Sequence, residues 1–498
     1  MADLDYLASS GPRRAWIRFT RSVKSLPGRV GGWIGGLPRR LGGMFRSLLG
    51  AVISVGLIFI RGDWATRLSF GIMGFGCLRR GRIGRGLIYL FTQIAFWYFF
   101  FTFGVGWLAL MPTLGKVAQG EVWNEEKGIF EYARGDNSML VLLYGIVTLI
   151  IILLYVCIYF SSIRVCYDAE CRARRAERIP TLGDEIAALR DRDFHKTLLF
   201  LPVLAVVIFT VLPLIFMISL SFTNYDRFHM PPGNLFTWVG WENFRAIFGL
   251  GGNALLGNTF RSILSWTLVW AFFATVTNYA LGMILAIFIN HRGIRFKKFF
   301  RTVFVTTIAI PQFVSLMFMR NLLADNGLVN VFLTQMGWVD APIRFLTDGN
   351  IARITVILVN MWVGIPYSML ITTGILLNIP ADLYEASRID GAGPVKQFTT
   401  ITLPYVLFVT TPYLITQFVG NINNFNVIWL LTGGGPMTGE YYQGGRTDLL
   451  VTWLYRITTG EQNYKLASVI GIITFAVCAA FSLIVYSRSG SAKEGKFL

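Results

Sequence analysis

Residues 379–404 read IPADLYEASRIDGAGPVKQFTTITLP, a polar stretch set between two long apolar ones, about 351–377 and 404–432. Two short helices around a sharp break fit this wording. Asn378 or Asp382 can cap the first, which continues through Leu383, Tyr384, Glu385 and Ala386. Gly391 suits the left-handed residue that ends a helix, and Pro394 suits the first turn of the next. Ala386 and Ser387 are small enough for another protein surface to come close, while Glu385 and Asp390 supply charges for pairing. Taken alone, the stretch reads equally well as a structured but idle connector. Its flanks decide the fold: each is long enough to cross a bilayer as a helix, which takes about 20 apolar residues.

Working outward, eight segments reach that length: about 87–111, 138–162, 198–222, 258–289, 302–323, 351–377, 404–432 and 465–487. The chain of 498 residues is 54% hydrophobic, 15% aromatic and only 14% charged, where a soluble domain carries about 25% charged residues. The stretch 44–60 is shorter and bracketed by Arg46 and Arg61, so it reads as an interfacial or re-entrant helix. Charge orients the spans, because cytoplasmic loops collect Lys and Arg. The first 86 residues hold 15 of them, residues 163–197 hold eight, and 290–301 includes Arg292, Arg295, Lys297, Lys298 and Arg301. The alternate loops, 112–137, 224–257, 324–350 and 433–464, are acidic or balanced. The expectation is an all-α membrane protein with eight transmembrane helices and both termini cytoplasmic. It divides into a basic cytoplasmic or interfacial region (1–86), two accessory helices (87–162), a cytoplasmic connector (163–197), a six-helix core (198–487) and a tail (488–498).

The formal charge of +18 lies beside apolar segments, which makes anionic lipid its partner and not nucleic acid. The start, MADLDYLASS, is acidic and polar and does not read as a cleaved signal peptide. Five cysteines (Cys77, Cys157, Cys166, Cys171, Cys478) form no CxxC pair, so neither a disulfide frame nor a metal site is expected. The centres of the spans carry no Asp, Glu, Lys, Arg or His, whereas ion-coupled carriers commonly hold such groups in the membrane. There is no phosphate-binding GxxxxGK[ST] loop and no nucleophile–histidine arrangement, so the chain is expected to perform no catalysis. Neutral polarity is concentrated instead in Gln417, Asn421, Asn423, Asn424 and Asn426. Gln417, Asn421 and Asn424 fall at i, i+4 and i+7 on one helical face. Amides offer donors and acceptors together, which suits a polar cavity for a hydroxyl-rich ligand.

The wording of the 379–404 loop is more specific than its caps. Tyr384-Glu385-Ala386-Ser387, then Asp390-Gly391-Ala392, then Phe398, Ile401, Leu403 and Pro404 closely resemble the EAA motif of binding-protein-dependent ABC import permeases, with Ser387 where a second Ala is usual. The likeness extends over about 198–487, through Ser221-Phe222-Thr223-Asn224-Tyr225, Val239-Gly240-Trp241-Glu242-Asn243-Phe244 and Gly433-Gly434-Gly435-Pro436. The N-terminal part, with Phe70-Gly71-Ile72-Met73-Gly74-Phe75-Gly76 and Asp136-Asn137-Ser138, resembles the larger membrane subunit of maltose and maltodextrin importers, particularly the Gram-positive type.

The resemblance implies a permease subunit that translocates an oligosaccharide by alternating access in a bacterial cytoplasmic membrane. It implies as partners a second permease, two ATPase subunits that bind ATP and Mg, an extracytoplasmic sugar-binding protein and membrane lipid. Tyr384, Glu385, Ala386, Ser387, Asp390 and Gly391 would form the helix that docks in a cleft of an ATPase. Val363, Gly364 and Tyr367, with Gln417, Gly420, Asn421 and Asn424, match the family's sugar-contacting positions, Tyr367 stacking on a sugar face and the amides taking hydroxyls. Gly420 replaces an aromatic platform and Gln417 a smaller hydroxyl residue, which makes the pocket roomier and more polar. Maltose-like glucans are the first cargo implied, with trehalose or raffinose-type sugars as alternatives. A self-powered sugar carrier is the reading from another class.

Overall fold

The computed structural model describes residues 50, 53–125, 127–290 and 293–488. Residues 1–49 of the basic N-terminal region and 489–498 of the tail lie outside them. Residues 53–61, the described end of the stretch read as interfacial, are helical, with Ile53, Phe59 and Ile60 exposed. Helix α1 (Trp64–Leu68) follows, capped by Asp63, whose carboxylate accepts the Thr66 N–H at 2.8 Å. Then come α2 (Phe75–Arg79) and the long apolar α3 (Ile83–Leu110). A two-stranded antiparallel hairpin, β1 (Gly120–Asn124) with β2 (Ile129–Ala133), pairs Trp123 with Phe130 and leads into α4 (Ser138–Arg174). Helix α5 (Leu182–Arg190) starts from a reciprocal Thr181–Asp184 capping box, and α6 (Phe194–Leu220) is again apolar.

The rest of the chain holds α7 (Glu242–Ile247), α8 (Ala254–Asn290), α9 (Lys297–Ala309), α10 (Gln312–Leu322), α11 (Leu328–Gln335) and α12 (Gly349–Leu376). After α13 (Ala381–Ile389), a turn at Pro394–Gln397 and a π turn at Phe398–Thr402 run without interruption into α14 (Leu403–Ile422). Helices α15 (Phe425–Thr432), α16 (Leu450–Thr459) and α17 (Tyr464–Arg488) complete the order.

Seven of the described helical stretches are long and apolar enough to cross a membrane: α3, α4, α6, α8, α12, Pro394–Thr432 and Tyr464–Ser487. The segment expected as one span over 302–323 is instead two helices, α9 and α10, bent by 90°. The cause is local. Pro311 disfavours the helical conformation of the residue before it, and Ile310 is extended at ψ 125°.

Contacts separate the described residues into two compact units, those up to 108 with 144–208 and those of 109–143 with 209 onward. In the first, Glu170 of α4 is buried and draws in the N-terminal strap. It accepts the Asp63 N–H at 3.0 Å and the Thr66 hydroxyl at 2.6 Å, and pairs with Arg80 and Arg174. Arg82 and Arg85 both reach Glu185 of α5, at 2.6 and 3.0 Å. A buried carboxylate is tolerable only with this degree of pairing.

The second unit is built on α8 and α12. Gly282 lies against Ser368 and Gly364 against Asn278, so a Cβ at either glycine would overlap the opposite helix. Small residues let the two backbones approach closely. Because 278 faces 364 and 282 faces 368, the helices run in the same direction. Trp266, Trp270, Val356, Ile428 and Leu431 form a shared core, and Phe260, Ile263, Trp453, Ile457 and Ile470 a second cluster.

Candidate functional site

One cavity of about 270 Å³ lies within the second unit, walled by α8, α12, the bent α9–α10 pair and the junction between α14 and α15. Of the residues selected from sequence, Val363, Gly364, Tyr367, Gln417, Asn421 and Asn424 line it. Gly420 does not; it is exposed, and an added Cβ there would meet open space.

The amide-rich stretch is not one continuous helical face. Helix α14 ends at Ile422, and Asn424 begins α15 as its cap, its side-chain oxygen accepting the Val427 N–H at 3.2 Å. The break still leaves Gln417, Asn421 and Asn424 on the cavity and sends the other amides elsewhere. Asn423 bonds back to the Val419 carbonyl at 3.1 Å, and Asn426 approaches Gln312 at 3.5 Å. Asn421 is held on both sides: its side-chain amide donates to Thr275 Oγ1 at 3.0 Å, and its backbone carbonyl accepts Trp270 Nε1 at 3.0 Å.

Sequence reasoning missed several walls. Gln312, Thr307 and Ser315 reach the cavity only because the helix breaks at Ile310–Pro311. Asn278 and Asn360 also line it, 9% and 4% exposed, and each keeps a buried polar atom with no hydrogen-bond partner among the described residues: Asn278 Oδ1 and Asn360 Nδ2. A lone amide in an apolar span was the available signal for Asn278. Among the described residues, no charged side chain lines the cavity. Amides, hydroxyls, Tyr367 and Trp362 make a neutral lining that offers hydrogen bonds and aromatic faces.

The second candidate is α13 with its flanks. Its N-cap is Pro380, and neither Asn378 nor Asp382 caps it through a side chain. The extended backbone that Pro380 adopts at ψ 131° already starts the helix. Gly391 takes a left-handed φ of 74° and Pro394 opens the next turn. Tyr384 is half-buried beside Tyr279, Met283, Val406 and Phe398, and its hydroxyl meets Thr402 Oγ1 at 2.8 Å. Ser387 donates to the Tyr384 carbonyl at 2.8 Å, and the Ala392 N–H returns to the Ser387 carbonyl at 2.9 Å. Outside this anchor the surface is open. Glu385, Ala386, Asp390 and Gly391 are exposed, with Ile389 at 87% and Val395 at 77%.

A family model described as binding-protein-dependent transport system inner membrane component matches residues 278–491. The chain is 35% identical over 361 residues to the galactooligosaccharides transport system permease protein GanP of Bacillus subtilis, covering 72% of this chain and 85% of that one. It is 33% identical over 430 residues to the maltodextrin transport system permease protein MdxF of the same organism, covering 84% and 94%. With the maltose/maltodextrin permease MalF of Escherichia coli it shares 36% identity over 266 residues, 52% of this chain and 51% of that one. A chain from the crystal structure of a bacterial ABC transporter involved in the import of the acidic polysaccharide alginate shares the fold. The TM-score is 0.50 at 22% identity, over 60% of this chain and 96% of that one. The chain is a multi-pass membrane protein and belongs to the inner membrane components of binding-protein-dependent transport systems, among the permeases of ABC sugar importers.

Proposed function

We propose that this chain is one of two permease subunits of an ATP-driven importer for a neutral oligosaccharide, with a maltodextrin as the first cargo. The observation that carries the neutral cargo is the cavity lining, which among the described residues has amides, hydroxyls and aromatic faces but no charge. A carboxylated glycan would leave its charges unpaired there, so an acidic polysaccharide is disfavoured. In this reading Tyr367 stacks on a sugar ring while Gln417, Asn421 and Asn424 exchange hydrogen bonds with hydroxyls. Galactooligosaccharides are the second reading, favoured by the 35% identity to a permease named for them.

Eight spans with both termini cytoplasmic fit this function. Helices α8 and α12 run the same way, so the chain between them must return across the membrane, and the bent α9–α10 pair is the apolar stretch that can do it. The basic residues before α3, between α4 and α6 and at the start of α9 then lie on the cytoplasmic side of a bacterial plasma membrane.

The geometry supplies a route for force. The α13 loop joins the end of α12 to the start of the helical run from Pro394 to Ile422, about 40 Å long at 1.5 Å per residue. Both helices carry cavity residues. A separate ATPase, holding ATP and Mg, would grip α13 through Ile389, Glu385 and Asp390 and swing both cavity walls at once. Sugar would arrive from an extracytoplasmic binding protein, and the second permease would complete the pathway.

The test is ATP hydrolysis by the purified complex in lipid, with binding protein and either maltotriose or β-galactotriose, for wild type and Glu385→Lys. Stimulation by maltotriose, abolished in an assembled mutant, supports both cargo and docking. Stimulation by the galactoside alone moves the cargo to the second reading. Full stimulation in the mutant removes Glu385 from the docking surface.

A further inference from the structure

Helix α8 contributes two polar side chains to one face, Thr275 and Asn278, a turn apart. Thr275 is used within the protein, because its hydroxyl accepts the Asn421 amide at 3.0 Å. Asn278 is not: the residue lines the cavity, and its side-chain oxygen is buried and has no partner among the described residues. An amide that only glued helices together would spend its oxygen on a neighbour, as buried polar groups generally do.

The packing around Asn278 is also specific. A Cβ at Gly364 would coincide with its carboxamide, so the glycine admits the side chain. One turn further along both helices the roles reverse, with Ser368 seated over Gly282. The two contacts are equivalent as packing, but only the first opens on the cavity; neither Gly282 nor Ser368 lines it.

We propose that Asn278 reads the substrate: its carboxamide oxygen accepts a hydrogen bond from one sugar hydroxyl, and Gly364 is glycine so that this carboxamide can lie at the cavity wall. The proposal rests on the reading of the cavity as an oligosaccharide site. It adds α8 to the elements that select the cargo, and it makes Asn278 a specificity residue that no feature of the 379–404 loop or the amide run signals.

The experiment is uptake by the complete transporter in proteoliposomes, using labelled maltotriose and β-galactotriose, each with its set of singly deoxygenated analogues. Wild type is expected to take up one analogue about tenfold more slowly than its parent, the size of effect a buried unpaired acceptor produces. Asn278→Leu, close in volume and without an acceptor, should slow the parent about tenfold and bring that analogue's ratio to the parent near one. The binding protein is common to all samples, so its own preference cancels in the ratio of mutant to wild type. Asn278→Asp keeps an acceptor and should keep the discrimination. Gly282→Ala disturbs the same helix pair away from the cavity and should lower thermal stability while leaving every ratio unchanged.

The proposal is overturned if Asn278→Leu and Asn278→Ala keep the wild-type ratio for every analogue, which would leave the amide with bound water alone. It is overturned equally if Gly282→Ala erases the same discrimination, because packing would then explain it. Uptake of neither glycan by wild type would instead remove the oligosaccharide reading on which the proposal stands.

Discussion

At the scale of single residues, the glycines of α12 do different work although they sit on one helix. Gly364 and Gly374 look alike in sequence, but a Cβ at Gly364 meets the Asn278 carboxamide while one at Gly374 meets nothing within 4 Å. Gly364→Ala should therefore destabilise the purified complex by about 1–3 kcal/mol, the usual cost of overpacking. Gly374→Ala should be neutral or stabilise it by about 0.4–1 kcal/mol by restricting the unfolded chain. Thermal unfolding of the two variants side by side checks this, and equal losses would contradict the close approach of α8 and α12. Val363, Gly364, Tyr367, Gln417, Asn421 and Asn424 were selected from sequence because their segment wording resembles one family's, and all six line one cavity. Gly420 was selected on the same wording, and the structure leaves it exposed. Asn278 was passed over because a lone amide in an apolar run has no periodic partner to mark it.

At the scale of elements, the loop after α6 is pinned to the start of α17. Asp226 accepts Lys465 Nζ at 2.8 Å, His229 Nδ1 at 2.8 Å and the Phe228 N–H at 3.0 Å. The Tyr225 carbonyl takes the Lys465 N–H, and the Tyr225 ring stacks on Tyr464. Partial burial alone would raise the Asp226 carboxyl, but the hydrogen bonds from Lys465 and His229 and the Lys465 charge outweigh it and hold the group below its usual range. A carboxyl lowered in the folded state stabilises it fully above the unfolded value of about 3.9. That stability is lost as pH falls through the lowered folded value. The complex should thus lose stability mainly below about pH 4. Asp226→Asn should cost about 1–3 kcal/mol at pH 7 and flatten the acid limb of a melting-temperature profile. An unchanged acid limb would assign the loss to other carboxylates. Element boundaries were legible where apolar length set them and illegible where a break did. Pro311 stood in an apolar segment that hydropathy counts as continuous, and the end of α14 at Ile422 falls inside a run of amides.

At the scale of the whole molecule, the proposed transport function would depend on how firmly the α13 loop is joined to the helices that wall the cavity. The Tyr384 hydroxyl, bonded to Thr402 at 2.8 Å, ties α13 to the helical run that leads to Gln417 and Asn421. Tyr384→Phe keeps the packing and removes that tie, so sugar stimulation of ATP hydrolysis should fall about fivefold in an assembled complex, in line with one net hydrogen bond. Stimulation at the wild-type level would mean that packing against Tyr279 and Met283 is enough. The sequence by itself determined a helical membrane protein, its apolar segments, a polar loop between two of them and a cluster of neutral amides, because each of these is written in contiguous residues or in the absence of charge from whole segments. Tertiary structure alone decided that α8 and α12 run side by side in one direction, that a bent pair lies between them in the chain, and that Asn278 faces the cavity across Gly364. Those facts depend on which faces of distant segments come into contact. Close packing selects such faces through the volume of small residues, and hydropathy along the chain carries no record of that choice.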